Sequence, residues 1–313
     1  TGYAGFLAVL AHFKTGRPFL ITEHGIYTNE RRIEIEQAEW LKNAKAKEAH
    51  HILKSTIPIK RLWIDFFDAL SRVAYQFSHR IITLNERNQM LEFMGGADPK
   101  KSLIVPNGIV AEKRKLNAHT RTDTAHIGFV GRIVSIKDIK TFIRACKLVA
   151  AKHPKIKVSL FGPTDEEKSY FKECQKLVKL LDLEKTLSFK GKVDLSTVLA
   201  DIDCMVLTSI SEGQPLVILE AACYGIPVVA TDVGSCLELL YGRTEADIAL
   251  GQSGIITATY NPEETAAAIC RLIENPNERQ QMGKVANKRV RDYYSESQFL
   301  KSYHDIYNTV TAL

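Results

Sequence analysis

The chain has 313 residues, of which 45% are hydrophobic and 25% charged. This composition excludes extended disorder, collagen and coiled coil, and the length predicts two domains. Lys plus Arg number 42 and Asp plus Glu 36, a net charge of +6 that is too mild to point to nucleic acid.

The chain opens on Thr1, not Met, which reads as processing or as a fragment. Residues 1–10 carry no basic region ahead of their apolar run, so no signal peptide is expected. No run of about 18 apolar residues occurs, so no membrane-spanning helix is expected. The six cysteines form no CxxC pair and sit among apolar neighbours, which predicts free, buried thiols in a reducing cytoplasm.

The first region is helix-heavy. Strands are expected at 18–22, 80–84 and 102–105, with long helical stretches at 28–54 and 60–78 separated by Pro58. Three strands are few for a doubly wound domain, and the chain opens inside a helix. The expectation is therefore that an N-terminal part of the first domain is missing. Residues 41–63 carry Lys42, Lys45, Lys47, Lys54, Lys60 and Arg61 against Glu48, followed by Trp63, Phe66 and Phe67. Such a face suits anionic lipid or a partner, or is a solvated surface whose aromatics pack inward.

A polar, basic segment, 107–124, follows. The domain reading is 1–110 for the rear part of an acceptor-side domain, 111–124 for the linker, 125–292 for a complete second domain and 293–313 for a C-terminal helix crossing back.

From residue 125 onward short apolar strands alternate with amphipathic helices. Strands are expected at 126–130, 157–161, 187–190, 204–208, 227–230 and 254–257, and helices at 137–151, 165–181 and 215–224. This rhythm predicts an α/β fold with a parallel sheet and ligands at the strands' carboxyl ends.

The most informative segment is 203–235, DCMVLTSISEGQPLVILEAACYGIPVVATDVGS. A strand runs into a turn and then a helix expected to open at Pro215, the first helical position where Pro suits. Backbone N–H groups around Gly213, Gln214, Pro215 and Leu216, with the helix dipole, would favour an anion. Glu212 and Glu220 bracket the turn. They could accept bonds from sugar and ribose hydroxyls, or be solvated helix-start glutamates. The second segment, GFVGRIVSIKDIK at 128–140, places Arg132 and Lys137 on a strand-end loop after Gly131, suited to a pyrophosphate. The alternative is a solvated basic loop. Gly162 lies in the next strand-end turn. In the first region, PFLITEHGI ends in Glu23, His24 and Gly25. His24 could transfer a proton or bond a sugar hydroxyl, or be structural. Glu30, Arg31 and Arg32 are candidate acceptor contacts, or solvated charges.

Together these segments resemble the retaining nucleotide-sugar glycosyltransferases of family 4. The matching residues are Gly131-Arg132 with Lys137, Phe161-Gly162-Pro163, Glu212 and Glu220 in the family's E-x7-E pattern, the run from Gly225 to Thr231, and Pro106-Asn107-Gly108-Ile109. Thr22 to Tyr27 with Asn29, Glu30 and Arg31 resembles the members that build exopolysaccharide in the cytoplasm. The resemblance implies the GT-B fold, two Rossmann-like domains facing across a cleft, here with the N-terminal one incomplete. It implies a UDP-sugar donor, with UDP-glucose the one expected, a saccharide acceptor, and no metal or other cofactor. Arg132 and Lys137 would hold the diphosphate, Glu220 the ribose, and Glu212 the donor sugar. Gly131, Gly162 and the stretch Gly213, Gln214, Pro215 and Leu216 would line the donor, and His24 would meet the sugar. Glu23 and Arg31 would lie on the acceptor side. The family usually has Phe where this chain has Gln214, which is taken as a donor-selectivity position.

The implied place is the cytoplasm, or the inner membrane face beside a polysaccharide synthase complex, with no nucleic-acid partner. Rival readings are a GT-B epimerase or phosphorylase, a nucleotide-sugar-binding module without catalysis, and a synthase subunit held by its basic helices.

Overall fold

The computed structural model describes residues 2–38, 58–111 and 124–311. Lys42, Lys45, Lys47 and Lys54 of the basic run, and residues 112–123 of the expected linker, lie outside the described residues. The chain divides into two compact units, residues 1–106 with 302–313, and residues 107–301.

The first unit carries strands β1 (Leu20–Glu23), β2 (Arg80–Thr83) and β3 (Ser102–Ile104), all parallel in the order β1-β2-β3. Its helices are α1 (Gly2–Thr15), α2 (Tyr27–Gln37), α3 (Pro58–Phe77) and α4 (Glu86–Met94). The three strands fall where their apolar runs predict. Pro58 is the first residue of α3, the position where a missing N–H is harmless. Asn85 caps α4 by accepting from the Asn88 N–H at 2.8 Å. The core gathers Val9, Ile21, Ala74, Tyr75, Ile81 and Ala97. Of the α3 aromatics, Phe67 is buried, whereas Trp63 and Phe66 stay about 40% exposed while packing on it.

The second unit carries β4 (His126–Val130), β5 (Lys157–Phe161), β6 (Leu187–Gly191), β7 (Cys204–Leu207), β8 (Val228–Thr231) and β9 (Gly254–Thr257). Its helices are α5 (Ile139–Lys152), α6 (Lys168–Leu180), α7 (Leu195–Val198), α8 (Leu216–Cys223), α9 (Cys236–Tyr241), α10 (Glu245–Ile248), α11 (Pro262–Glu274), α12 (Pro276–Tyr293) and α13 (Glu296–Thr311). The division between the units falls within α13. The six strands are parallel in the order β6-β5-β4-β7-β8-β9.

Helices on both faces explain why β7 and β8 read as unbroken apolar runs. Alternate residues feed opposite cores. Ile127, Phe129, Cys204, Val206 and Val229 pack with α5 and α11, while Met205, Leu207, Val228 and Ala230 pack with α8, α9 and α12. All six cysteines are free and buried, as expected. Among the described residues no helix is long and apolar enough to cross a membrane.

The strand order doubles back between β4 and β7. In such a sheet the crossovers leave on opposite sides at that point, which opens a crevice beyond the carboxyl ends of these two strands. The loops following β4 and β7 are therefore where a ligand is expected, and they carry Arg132, Lys137 and Glu212.

Candidate functional site

Three strand-end turns are laced together at the carboxyl edge. The Gly131 N–H donates to the Phe161 carbonyl at 2.9 Å, the Gly162 N–H to Gly191 at 2.8 Å and the Ile133 N–H to Pro163 at 3.0 Å. At Gly162 φ is +146°, and a Cβ there would lie 1.9 Å from the Gly131 carbonyl oxygen. Only glycine fits that approach.

Lys137 closes a short 3₁₀ turn, Ser135–Lys137, rather than opening the α-helix as expected. Asp138 turns left-handed, with φ 43°, and caps α5 by accepting from the Thr141 N–H at 3.2 Å. Left-handed backbone is unfavourable for a non-glycine residue, and here its surroundings hold it. Thr208 Oγ1 donates to the carbonyls of Lys137 and Asp138, each at 3.1 Å, and the Ile210 N–H donates to Ile136 at 2.8 Å. The loops after β4 and β7 are thus stitched to each other.

On that frame Lys137 Nζ donates to Glu212 Oε1 at 2.5 Å, and Ser209 Oγ donates to the same oxygen at 2.5 Å. Both charged side chains are mostly buried, 16% and 11% exposed. Arg132 pairs with Glu166 at 2.7 Å, with both side chains about half exposed, 53% and 48%. An exposed pair of this kind contributes roughly 0–1 kcal/mol, so the guanidinium can leave it for a stronger anion. Glu220 is half-buried on α8, and burial raises its carboxyl above the ordinary range.

The third side of the loop comes from β8. Thr231 Oγ1 donates to the Ser209 carbonyl at 2.6 Å, and the Ser235 N–H donates to the Gly213 carbonyl at 3.0 Å. A Cβ on Gly234, where φ is +53°, would lie 2.2 Å from the Glu212 carbonyl oxygen. Ser209, Thr208, Gly234 and Ser235 carry no assignment in the sequence reading. The signal was a Gly-Ser pair closing a buried strand at the same edge.

Two expectations, on Pro215 and Glu23, are corrected, and two further residues, Gln214 and Arg31, have local partners. Gln214 is held by the chain itself: its Oε1 accepts from the Asn107 N–H at 2.7 Å, and its Nε2 donates to the Asn107 carbonyl at 3.0 Å. Pro215 is the N-cap rather than the first helical residue, and proline has no N–H to offer. Glu23 does not face an acceptor. It is 3% exposed and accepts from the Tyr75 hydroxyl at 2.6 Å. Arg31 is engaged within α2, paired with Glu34 at 2.8 Å and set over the Tyr27 ring.

His24, also in the first unit, is exposed at the end of β1. A cavity of about 180 Å³ in that unit is lined by Asn29, Arg32, Asp68 and Arg72, among others, but not by Arg31.

A family model described as glycosyl transferases group 1 matches residues 112–289, more than half of the chain. The chain belongs to that family. A second model, described as a domain of unknown function, DUF3492, matches residues 1–100. The chain is 28% identical over 204 residues to a D-inositol 3-phosphate glycosyltransferase of Paenarthrobacter aurescens, covering 61% of this chain and 48% of that one. It is 25% identical over 230 residues to a poly(ribitol-phosphate) alpha-N-acetylglucosaminyltransferase of Staphylococcus aureus, covering 73% and 44%. It spans about half the length of these curated relatives.

Among solved structures, Anabaena Alr3699/HepE in complex with UDP superposes with a TM-score of 0.76 at 20% identity, covering all of this chain and 77% of that one. Sucrose-phosphate synthase from Thermosynechococcus elongatus gives a TM-score of 0.72 at 18% identity, covering 98% and 72%. At this identity the likeness is one of fold, and that fold is GT-B.

Proposed function

We propose that this chain transfers a hexosyl group from a UDP-sugar, UDP-glucose in the first instance, to a saccharide acceptor with retention at the anomeric carbon. The observation that carries this reading is the cluster of Arg132, Lys137, Ser209 and Glu212 on the loops after β4 and β7, at the point where the strand order reverses. Cations there suit a diphosphate, and carboxylates there suit hydroxyls. The structural relative HepE was solved with UDP and with UDP-glucose, which supports the nucleotide.

As the sugar departs, negative charge grows on the diphosphate. Arg132, once drawn from Glu166, and Lys137, shared with Glu212, would meet that charge. Glu220 on α8 would accept from ribose hydroxyls. No side chain here is assigned as an enzymic nucleophile. The acceptor hydroxyl attacks on the face from which the diphosphate leaves, and this front-side geometry retains configuration. The resemblance of Thr22 to Arg31 to the PelF branch of family 4 supports a role in exopolysaccharide synthesis, beside a membrane-bound synthase at the cytoplasmic face.

Calorimetric titration with UDP, GDP and ADP, followed by assay of UDP released from UDP-glucose with and without saccharide acceptors, tests the proposal. The expected result is selective UDP binding, acceptor-dependent UDP release and a product of unchanged anomeric configuration. Equal affinity for the three nucleotides would overturn the donor assignment. UDP binding without transfer or hydrolysis would mark a binding module instead.

A further inference from the structure

The amino edge of the second unit's sheet, opposite the donor loops, brings three chemically different ligand groups together. His153 caps the C-terminus of α5, and Cys270 and Glu274 lie four residues apart at the C-terminal end of α11. That spacing sets the thiol and the carboxylate on one face of the helix. An imidazole nitrogen, the thiol sulfur and a carboxylate oxygen lie within 4.8 Å of one another. His153 Nε2 is already 3.0 Å from Glu274 Oε1. The arrangement is graded in depth: Cys270 is 4% exposed, the His153 side chain 15% and the Glu274 side chain 52%.

The surroundings favour a cation for a separate reason. α5 follows β4 and α11 follows β9, so both helices run back from the carboxyl edge and end at the amino edge, packed in one core. Their last carbonyls and the negative ends of their dipoles converge there. Lys152 supplies an opposing charge near Cys270.

We propose that His153, Cys270 and Glu274 form a binding site for a zinc-class divalent cation, with a fourth position left to water. Nitrogen, sulfur and oxygen donors together are a zinc-type set, whereas magnesium and calcium take oxygen alone. With metal bonds of about 2.0–2.3 Å, the donor atoms would have to draw together to roughly 3.5 Å, a side-chain adjustment. His153 Nε2 would exchange its contact with Glu274 for the metal. Burial raises the Cys270 thiol above its usual range, so the metal must supply the drive for deprotonation. On binding, the S–H bond breaks, the sulfur's electron pair goes to the cation, and the proton leaves to solvent. The site would clamp α5 to α11 and stabilise the unit from the edge remote from the donor loops.

The test uses the full chain, reduced and freed of metal, titrated with Zn²⁺ alone and in parallel with Co²⁺. One Zn²⁺ per chain, proton release, a rise in melting temperature and a near-ultraviolet thiolate-to-Co²⁺ charge-transfer band are expected. Glu274→Gln at the surface and the half-buried His153→Ala should each weaken Zn²⁺ binding at least about tenfold, since loss of supporting partners alone costs about 10–100-fold. Cys270→Ser should remove the charge-transfer band. Absence of that band in the unaltered chain, or unchanged Zn²⁺ affinity in the Glu274 and His153 variants, would overturn the proposal. If the buried Cys270→Ser variant fails to fold, the Glu274 and His153 variants still decide it.

Discussion

Lys137 and Glu212, 75 positions apart in the chain, meet through a 2.5 Å ammonium–carboxylate pair whose oxygen also accepts from Ser209. The pair joins the loops after the two strands between which the sheet order reverses. Its burial contrasts with the exposed Arg132–Glu166 pair beside it. The two cations should therefore respond differently to removal.

Arg132→Ala should leave folding stability nearly unchanged, within about 1 kcal/mol, because an exposed ion pair contributes little. It should lower kcat with UDP-glucose by about 10²–10³, the usual cost of losing one preorganised contact to developing charge. UDP affinity, measured by calorimetry, should fall far less. Equal losses in kcat and in UDP affinity would remove the transition-state role. Lys137→Ala, by contrast, strands a mostly buried carboxylate, so it should lower both the melting temperature and kcat.

Gln214→Phe introduces the residue that the resemblance to family 4 leads one to expect there, and it separates selectivity from structure. The Gln214 amide bonds both backbone groups of Asn107 and is 9% exposed. Substitution strips those groups of partners at a cost of about 1–3 kcal/mol. Denaturant unfolding should show that loss, while the ranking of UDP-sugar donors stays as it was. A changed ranking at unchanged stability would make Gln214 a selectivity position.

Gly234→Ala should act on chemistry through the Glu212 loop. The added Cβ would meet the Glu212 and Gly213 carbonyls at 2.2 and 2.6 Å, on backbone with φ of +53°. The Glu212 loop must move, and displacement of about 1 Å at a site can cost about 10²-fold in rate. Single-turnover assays should show that loss, with circular dichroism unchanged. Wild-type turnover would mean that the loop can yield without disturbing Glu212.

How far sequence alone reaches differs between frame and site. β4, β5, β7 and β8 were legible because each is a mostly buried apolar run closed by Gly, Pro or a polar turn, whereas β6 and β9, at the sheet's edges and only partly buried, were legible from the alternation of strands with helices. The sequence places Arg132, Lys137 and Glu212 on strand-end loops and Glu220 on the helix that follows, and the structure has them there. Their partners were not legible. Gln214 meets Asn107 across 107 positions, and Tyr75 reaches Glu23 across 52, distances over which local pattern says nothing. Lys137 falls in a 3₁₀ turn because Asp138 adopts a left-handed conformation fixed by Thr208, from another strand's end.

Glu92 supplies a pH dependence of stability with a definite sign. It is fully buried, accepts from Ser102 Oγ at 3.0 Å, and has a second oxygen without a hydrogen-bond partner. Burial first, and the Glu23 carboxylate second, push it from 4.5 up to about 7. Between those values the folded chain holds a proton that the unfolded chain has released. Stability therefore falls as pH rises through this window and stays low above it, by about 3 kcal/mol at most. Glu92→Gln keeps the shape and removes the titration. The melting temperature of the unaltered chain should drop from about pH 5 to about pH 8, and that of the variant should drop less, leaving the variant more stable at the alkaline end. Parallel pH profiles for the two chains would show that Glu92 is ionised in the folded state at little cost.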